Sequence, residues 1–429
     1  MMFEKYDAYK DSDVEWLGEI PNHWSIVKLK RVVKEHSGNG FPIELQGSED
    51  GSIPFLKVSD ISGEFKSIIK SSNYVTDKIR RRNKWNLVPK NSIVTGKIGE
   101  ALRKNHRKIL LEDSIIDNNC IGIEAVKINY NFSYYLHKVI DFEWFVNPGT
   151  VPSISVSKYK SFKVCLPSEN EQEIIVNFLD QKTSQIDQAI AIKEQQIVLL
   201  NERKQIVIQK AVTQGLDPNV PMKDSGVEWI GQIPEHWEII RSKFLFTQRK
   251  ENSKKDDVQL SATQAYGVIP QEEYEKRTGK SVVKISLHLD KRKRVHLNDF
   301  VISMRSFQGG LERAWAEGCI RSSYVVLKPL KPIDPDYYGY LFKTPMYIKA
   351  LQNTSNFIRD GQDLNFGNFS QVDLFIVPLS EQKQIVEYIK SQLGDFEKHL
   401  ELLNQQIEKL KEYKTTLIND AVTGKIKVA

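Results

Sequence analysis

The sequence predicts an α+β protein: two mixed α/β domains separated by two long antiparallel coiled-coil-like helices, with an internal duplication that gives a pseudo-twofold, near-circular architecture. Residues 10–24, KDSDVEWLGEIPNHW, return 213 positions later as KDSGVEWIGQIPEHW at 223–237, with eleven of fifteen positions identical. Ala211, Val212 and Thr213 return as Ala421, Val422 and Thr423 at an offset of 210. Each of these tripeptides closes a long stretch of apolar residues at helical spacing. An offset near 210 far exceeds the roughly 20 to 50 residues of a solenoid repeat, so a whole domain has been duplicated.

Residues 1–24 form a framing segment. Its Trp16, Trp24 and His23, repeated as Trp229, Trp237 and His236, read as anchors that fasten the frame to a helix end, because aromatics chiefly supply buried area. Residues 25–166 form the first domain, in which β-prone runs such as Ile53 to Val58 and Ser92 to Thr95 are punctuated by Gly, Asn and Pro. Residues 167–214 are the first spacer helix. Ser168 and Glu171 have the spacing of a capping box, and Ile186, Ile190, Lys193, Ile197, Leu200, Lys204, Val207 and Ala211 follow alternating steps of four and three. Such a 3.5-residue seam suits knobs-into-holes packing.

Residues 215–237 hold a linker and the second framing segment, opened by the helix-stopping Gly and Pro residues of QGLDPNVP at 214–221. Residues 238–377 form the second domain, with β-prone runs at Ser281 to Ile285 and Phe300 to Met304. Residues 378–429 close the chain with a helix whose seam, Phe396, Leu400, Leu403, Ile407, Leu410, Lys414, Leu417 and Ala421, is the first seam shifted by 210. Two matching seams in one chain favour internal pairing over a homodimeric coiled coil. If the helices are antiparallel, Lys10 to Trp24 follow Val422 in space as Lys223 to Trp237 follow Val212 in sequence. Roughly 40 residues per helix at about 1.5 Å each give a rod on the order of 60 Å.

Charge and cysteine content narrow the function. Lys and Arg exceed Asp and Glu by 61 to 55, a net charge of +6 that mildly favours an anionic partner. Cys120, Cys165 and Cys319 are an odd number at wide spacing, which suggests neither a disulfide framework nor a zinc site. The first residues lack the apolar core of a signal peptide and no run approaches the length of a membrane span, so a cytoplasmic protein is expected.

Two basic windows are the candidate nucleic-acid contacts. Lys78 to Lys108 holds eleven Lys or Arg against Glu100, and Lys276 to Arg294 holds eight against Asp290. Such windows neutralise phosphates, and Arg, Asn and Gln read base edges. The candidates in the first are Lys78, Arg80, Arg81, Arg82, Lys84, Lys97, Arg103 and Lys104. Those of the second domain are Lys291, Arg292, Lys293, Arg294, Arg305 and Gln308. Lys97 and Arg305 each look like the end of a strand before a Gly-containing loop, Ile98-Gly99-Glu100 and Phe307-Gln308-Gly309-Gly310, where glycine permits close approach to a ligand. A solvated charged surface and plain β-turns are the simpler readings of the same residues.

Signatures of catalysis are missing: there is no GxGxxG after a strand, no GxxxxGK[ST], no HExxH and no GxSxG. Asn147-Pro148-Gly149-Thr150 only partly follows the Asn-Pro-Pro-aromatic motif of amino-methyltransferases. A self-sufficient methyltransferase is therefore disfavoured.

The doubled KDSxVEWxGxIPxHW, the helix openings at Pro167 with Glu171-Gln172 and Pro378 with Glu381-Gln382, and the doubled Ala-Val-Thr resemble the specificity subunit (S, HsdS) of type I restriction-modification systems over the whole chain. Gly149 to Ile154 and Gly361 to Leu364 are similar to the segments closing that family's target-recognition domains. The resemblance implies a non-catalytic subunit that reads double-stranded DNA. One target-recognition domain, 25–166 or 238–377, would bind each half of a bipartite, asymmetric site, with the helices fixing the gap. It also implies two methyltransferase (M) subunits docked on the helices, using S-adenosylmethionine, and restriction (R) subunits using ATP and Mg. The competing reading is a protein-interaction scaffold that binds no DNA.

Overall fold

A computed structural model describes residues 3–63, 66–68, 70–147, 149, 151–283, 291–303, 305–354 and 364–428. Its longest elements are the helices Glu169–Gln214 and Leu379–Val422, 46 and 44 residues long. At about 1.5 Å per residue they extend roughly 65 to 70 Å. The chain divides into two units, residues 1–193 with 405–429 and residues 194–404, so each unit contains one domain and part of both long helices.

The capping box expected at Ser168 is present. Ser168 Oγ donates to Glu171 Oε2 at 3.0 Å, and the Glu171 amide donates to Ser168 Oγ at 3.3 Å. Downstream, the seam positions Ile186, Ile190 and Ala211 on the first helix and Phe396, Ile407, Leu417 and Ala421 on the second are buried. Within the first unit, Lys193 Nζ donates to Gln406 Oε1 at 2.6 Å and Lys414 Nζ to Asp187 Oδ1 at 2.6 Å. Partner numbers fall as the first helix advances, so the two helices run antiparallel here.

The frame is built twice in the same way. Tyr9–Asp11 pairs antiparallel with Glu19–Pro21, and Met222–Asp224 with Gln232–Pro234. Ser25–Lys28 then pairs with Lys163–Leu166, and Glu238–Arg241 with Asp373–Ile376. Each of these strand pairs joins the two ends of its domain just before a long helix starts. The fully buried Trp24 donates its indole N–H to Glu171 Oε1 at 3.2 Å, and Trp237 does the same to Glu381 Oε2 at 3.1 Å. His23 and His236 lie 2.8 Å from the same two carboxylates. The tryptophans at 24 and 237 are thus the anchors the sequence suggested.

The neighbouring glutamines make a second matched contact. Gln172 Nε2 donates to the Pro167 carbonyl at 3.0 Å while its Oε1 accepts from the Asn129 amide at 2.8 Å. Gln382 bonds the Val377 carbonyl and the Asp334 amide in the same manner, at 2.8 and 2.7 Å. Asn129 and Asp334 cap the domain helices Tyr130–Val139 and Pro335–Leu341, so the glutamine ties each domain to its spacer helix.

Within the first unit, residues 4 and 427 meet. The Lys427 amide donates to the Glu4 carbonyl at 2.7 Å, which sets the end of the chain beside its start. Gly424 has φ +75° and no room for a side chain, since a Cβ there would stand 2.4 Å from Pro21. Its counterpart Gly215, also at φ +75°, faces Trp237 and Glu381 in the second unit. Left-handed glycine is the usual helix stop.

The two domains share a mount and differ in their sheets. The first has a five-stranded sheet ordered Val33–Ser37, Cys120–Ala125, Ile93–Gly96, Lys108–Leu110, Ser67–Ile68, and a three-stranded one ordered Ile115–Ile116, Ile53–Leu56, Tyr74–Val75. The second has a four-stranded sheet ordered Phe246–Gln248, Val325–Pro329, Phe300–Ile302, Glu312–Arg313, with two separate strand pairs. The β-prone run at 53–58 is a strand only to Leu56, because a helical turn begins at Val58. Of the run at 281–285, residues 281–283 carry no regular structure and 284 and 285 lie outside the described residues. No described helix is long and apolar enough to cross a membrane.

Candidate nucleic-acid interface

In the first domain the candidate cations fall into two groups. Thr76 caps the short helix Asp77–Arg82 by accepting from the Ile79 amide, and this helix carries Lys78, Arg80, Arg81 and Arg82, with Lys84 just beyond it in left-handed backbone at φ +54°. Lys78, Arg81, Arg82 and Lys84 are exposed, whereas Arg80 is half-buried. Asp77 holds Arg80 at 2.7 Å and Arg81 at 2.6 Å. The hydrogen bond from Arg80, helped by the charge of both arginines, keeps the Asp77 carboxyl below its ordinary value. One carboxylate fixing two guanidiniums leaves the helix with a net positive, solvent-facing end.

Lys97, Arg103 and Lys104 form the second group, on a different sheet. Lys97 follows the buried strand Ile93–Gly96, and its backbone is clamped on both sides: its amide donates to the Asn119 carbonyl at 2.8 Å and its carbonyl accepts from the Ile154 amide at 3.0 Å. The glycine after it does not open a loop. Gly99–Arg103 is a short helix, so the Gly-containing loop expected at Ile98-Gly99-Glu100 is its first turn. Arg103 is exposed and reaches Glu143 at 3.2 Å, and Lys104 is exposed. Arg107, in the same basic window, points inward and is 2 % exposed.

The second domain divides its candidates more sharply. Lys291 is exposed, but Arg292 is only 5 % exposed. Lys293 Nζ donates to the Tyr324 carbonyl, and burial lowers its pKa. Arg294 is mostly covered and lies 3.5 Å from Asp257 and 3.7 Å from Glu317. Alternation along Lys293–Val295, which pairs with Gly318–Ile320, turns successive side chains to opposite faces of a sheet. A run of four cations in sequence is therefore not a run of four outward cations. Much of the 276–294 window, residues 284–290, lies outside the described residues.

Arg305 and Gln308 stand together, both exposed. They belong to a tight turn in which the Ser303 amide donates to Ser306 Oγ at 2.9 Å, the Arg305 amide to Ser303 Oγ at 3.3 Å and the Gln308 amide to the Arg305 carbonyl at 2.9 Å. The segment expected as a Gly loop is the short helix Ser306–Gly309, closed by Gly310. Gly310 has φ +77°, and a Cβ there would stand 2.0 Å from the Phe342 carbonyl oxygen. Only glycine fits, so the turn that presents Arg305 and Gln308 is rigidly set. Met304, the end of the expected strand Phe300 to Met304, lies outside the described residues, and the strand runs from Phe300 to Ile302.

Beside that turn is a concavity of about 420 Å³ that the charge pattern did not reveal. Gln264 donates to the Arg305 carbonyl at 3.4 Å and lines it, together with Tyr266, Arg277, Arg313 and Trp315. Trp315 is 54 % exposed, with the Arg313 guanidinium 4.2 Å from its ring. Arg277 lies 5.0 Å from the Tyr266 ring. An aromatic face flanked by guanidiniums and an amide can stack and hydrogen-bond a base. The sequence signal was an isolated tryptophan in the alternating stretch Arg313-Ala314-Trp315-Ala316-Glu317, which a search for charge runs passes over.

Groups suited to covalent or metal chemistry are not gathered anywhere among the described residues. No cluster of His, Cys, Asp and Glu there could hold a metal ion. All three cysteines are buried and free, and burial pushes the Cys120 and Cys165 thiols up to about 12. Of Asn147-Pro148-Gly149-Thr150, Pro148 and Thr150 lie outside the described residues, as do 361–363 of the expected closing segment at Gly361 to Leu364.

The type I restriction modification DNA specificity domain family matches residues 21–201 and again 234–412. The type I restriction enzyme MjaVIII specificity subunit of Methanocaldococcus jannaschii is 23 % identical over 461 residues, covering 100 % of this chain and 98 % of that protein. The crystal structure of the HsdS subunit from Thermoanaerobacter tengcongensis matches with a TM-score of 0.52 at 12 % identity, over 95 % of this chain and 98 % of that one. A chain from a structure addressing complex assembly and conformational transition of the type I R-M system matches with a TM-score of 0.64 at 14 % identity, over 94 % and 98 %.

Proposed function

This chain belongs to the type I restriction modification DNA specificity family as a specificity subunit, and from that membership we propose that it reads a bipartite, asymmetric double-stranded DNA site, one half with each domain. The observation that carries this reading is the pairing of matched mounts with unmatched surfaces. Trp24, His23 and Glu171 recur as Trp237, His236 and Glu381 with the same contacts, while the sheets they support differ in strand number and order. Unlike readers on like mounts suit two unlike half-sites and two copies of one partner.

In the first domain the exposed cations Lys78, Arg81, Arg82, Lys84, Arg103 and Lys104, with the half-buried Lys97, serve as phosphate contacts, which set register and carry little sequence information. In the second, Lys291 takes that role, and Arg305 and Gln308, with Gln264 and Trp315, read bases. Arg292, Lys293 and Arg294 act from within, supporting the sheet. Two methyltransferase subunits dock on the long helices, where Val198, Leu199 and Ile206 expose more than half of their surface. Adenine methylation with S-adenosylmethionine and ATP- and Mg-dependent restriction belong to the M and R subunits in the cytoplasm. The subunit itself is non-catalytic.

Mapping methylated adenines in cells with and without this gene tests the reading. A bipartite motif that loses methylation when the gene is removed is the expected result. An unchanged methylation map, with the partner methyltransferase expressed, would favour a scaffold that binds no DNA.

A further inference from the structure

The concavity beside Arg305 and Gln308 lies wholly within the second unit. Its guanidiniums are already compensated. Arg313 pairs with Asp336 and donates to Asn298 Oδ1 at 2.6 and 3.0 Å, and Arg277 pairs with Glu273. What its wall leaves unsatisfied is an aromatic face and a carboxylate oxygen. Trp315 is 54 % exposed. Glu312, on the same wall, is 2 % exposed; its Oε1 accepts from Lys343 Nζ at 2.6 Å, and its Oε2 has no hydrogen-bond partner. A buried acceptor without a donor is costly. Burial raises the Glu312 pKa against the opposing charge of Lys343.

The indole is held in place by its surroundings. The Trp315 amide donates to the Val268 carbonyl at 2.9 Å. Gly267, at φ +69°, lies against the ring edge, and a Cβ there would stand 2.8 Å from the indole Nε1 and 2.6 Å from the Arg313 carbonyl oxygen. Only glycine lets the ring lie where it does. Gln264 lines the same recess and donates to the Arg305 carbonyl at 3.4 Å, which ties the recess to the turn carrying Arg305 and Gln308.

The geometry points to a pocket for an unstacked nucleobase, drawn out of the duplex next to the position that Arg305 reads. This inference rests on the DNA-reading role proposed above. A recess of about 420 Å³ has the size of a small-molecule site. Inside a duplex both faces of a base are covered by its neighbours, so a base lies flat on Trp315 only after leaving the stack. Its Watson–Crick edge is then free as well, and every base carries an N–H donor there for Glu312 Oε2. One movement supplies both missing partners. A base that stays stacked and paired presents only its groove edge, which leaves the indole face uncovered.

Fluorescence anisotropy of the assembled complex, on the duplex that its methylation map defines, tests this when the base opposite each position of the site is removed in turn. An extrahelical base whose partner is gone has no pair to break, so binding tightens. A base read in the groove loses its fixed position, so binding weakens. At one position other than the methylated adenine, removal of the opposite base is expected to tighten binding about tenfold. Trp315→Ala should cancel that gain, and Trp315→Phe, which keeps an aromatic face, should retain it; the ring is more than half exposed, so both replacements keep the fold. Weaker or unchanged binding at every position except the methylated adenine, or a gain that Trp315→Ala leaves intact, would overturn the pocket. A complex that does not bind even the intact duplex would overturn the DNA-reading role itself, so binding of the intact duplex separates the two failures.

Discussion

Glu171 joins a helix start to a frame that lies 147 residues earlier in the chain. It accepts from the Trp24 indole, from His23 and from Ser168, the first of these buried. Burial works to raise its pKa, but the hydrogen bonds from His23, Trp24 and Ser168 outweigh that and hold it below its ordinary value of 4.5. A carboxyl lowered in the folded state stabilises fully above its unfolded pKa, and loses that contribution as pH falls through the folded one. Glu171→Ala is therefore expected to cost about 1 to 3 kcal/mol at neutral pH, the toll of leaving a buried donor unpaired. In urea unfolding the gap between variant and wild type should narrow as pH is lowered below 4.5; a gap independent of pH would contradict this role.

Arg305 and Lys97 test the proposed readers at the same scale. Arg305→Ala is expected to weaken DNA binding by the assembled complex and to relax one base position, at about 1 to 3 kcal/mol for a bidentate contact. Lys97→Ala should weaken binding evenly across sequences and flatten its salt dependence. Competition binding with sites varied one base at a time checks both. A strand end and a glycine pair mark Arg305 as a candidate in the sequence, and the fold leaves it exposed. The inward turn of Arg292 and Arg107 was not legible, since composition fixes how many cations a window has and only the fold decides which face they take.

Among elements, the long helices were the most legible. Their apolar period persists over many turns, and the buried residues Ile186, Ile190, Phe396, Ile407 and Leu417 all lie on the expected seams. Short elements were less so. Gly99–Arg103 and Ser306–Gly309 are five and four residues long, too short for any period, and their glycines read as loops. The helix surfaces also show what the seams leave out: Leu199 and Ile206, seven residues apart, are 55 % and 54 % exposed. If a methyltransferase docks there, Leu199→Glu with Ile206→Glu should abolish co-purification of the partner while leaving thermal stability within about 1 kcal/mol of wild type, because exposed sites tolerate substitution. Retained assembly in that variant would move the docking surface elsewhere.

The duplication governs the molecule as a whole. Frame strands, the Trp-His-Glu contacts and the glutamines recur at offsets of 210 to 213, and the helix caps those glutamines bond, Asn129 and Asp334, at 205, so everything needed to mount a domain is present twice. The repeated motif made this legible before any coordinate. What the domains recognise was not legible, because their surfaces share little sequence and fold into different sheets. The central claim is that each mounted domain reads its own half-site. Replacing residues 25–166 with the corresponding domain of a relative, then mapping methylated adenines in cells that supply the partner methyltransferase, tests it most directly. One half of the motif should change while the other is kept; a hybrid that methylates with both halves altered, or with neither altered, would contradict the account.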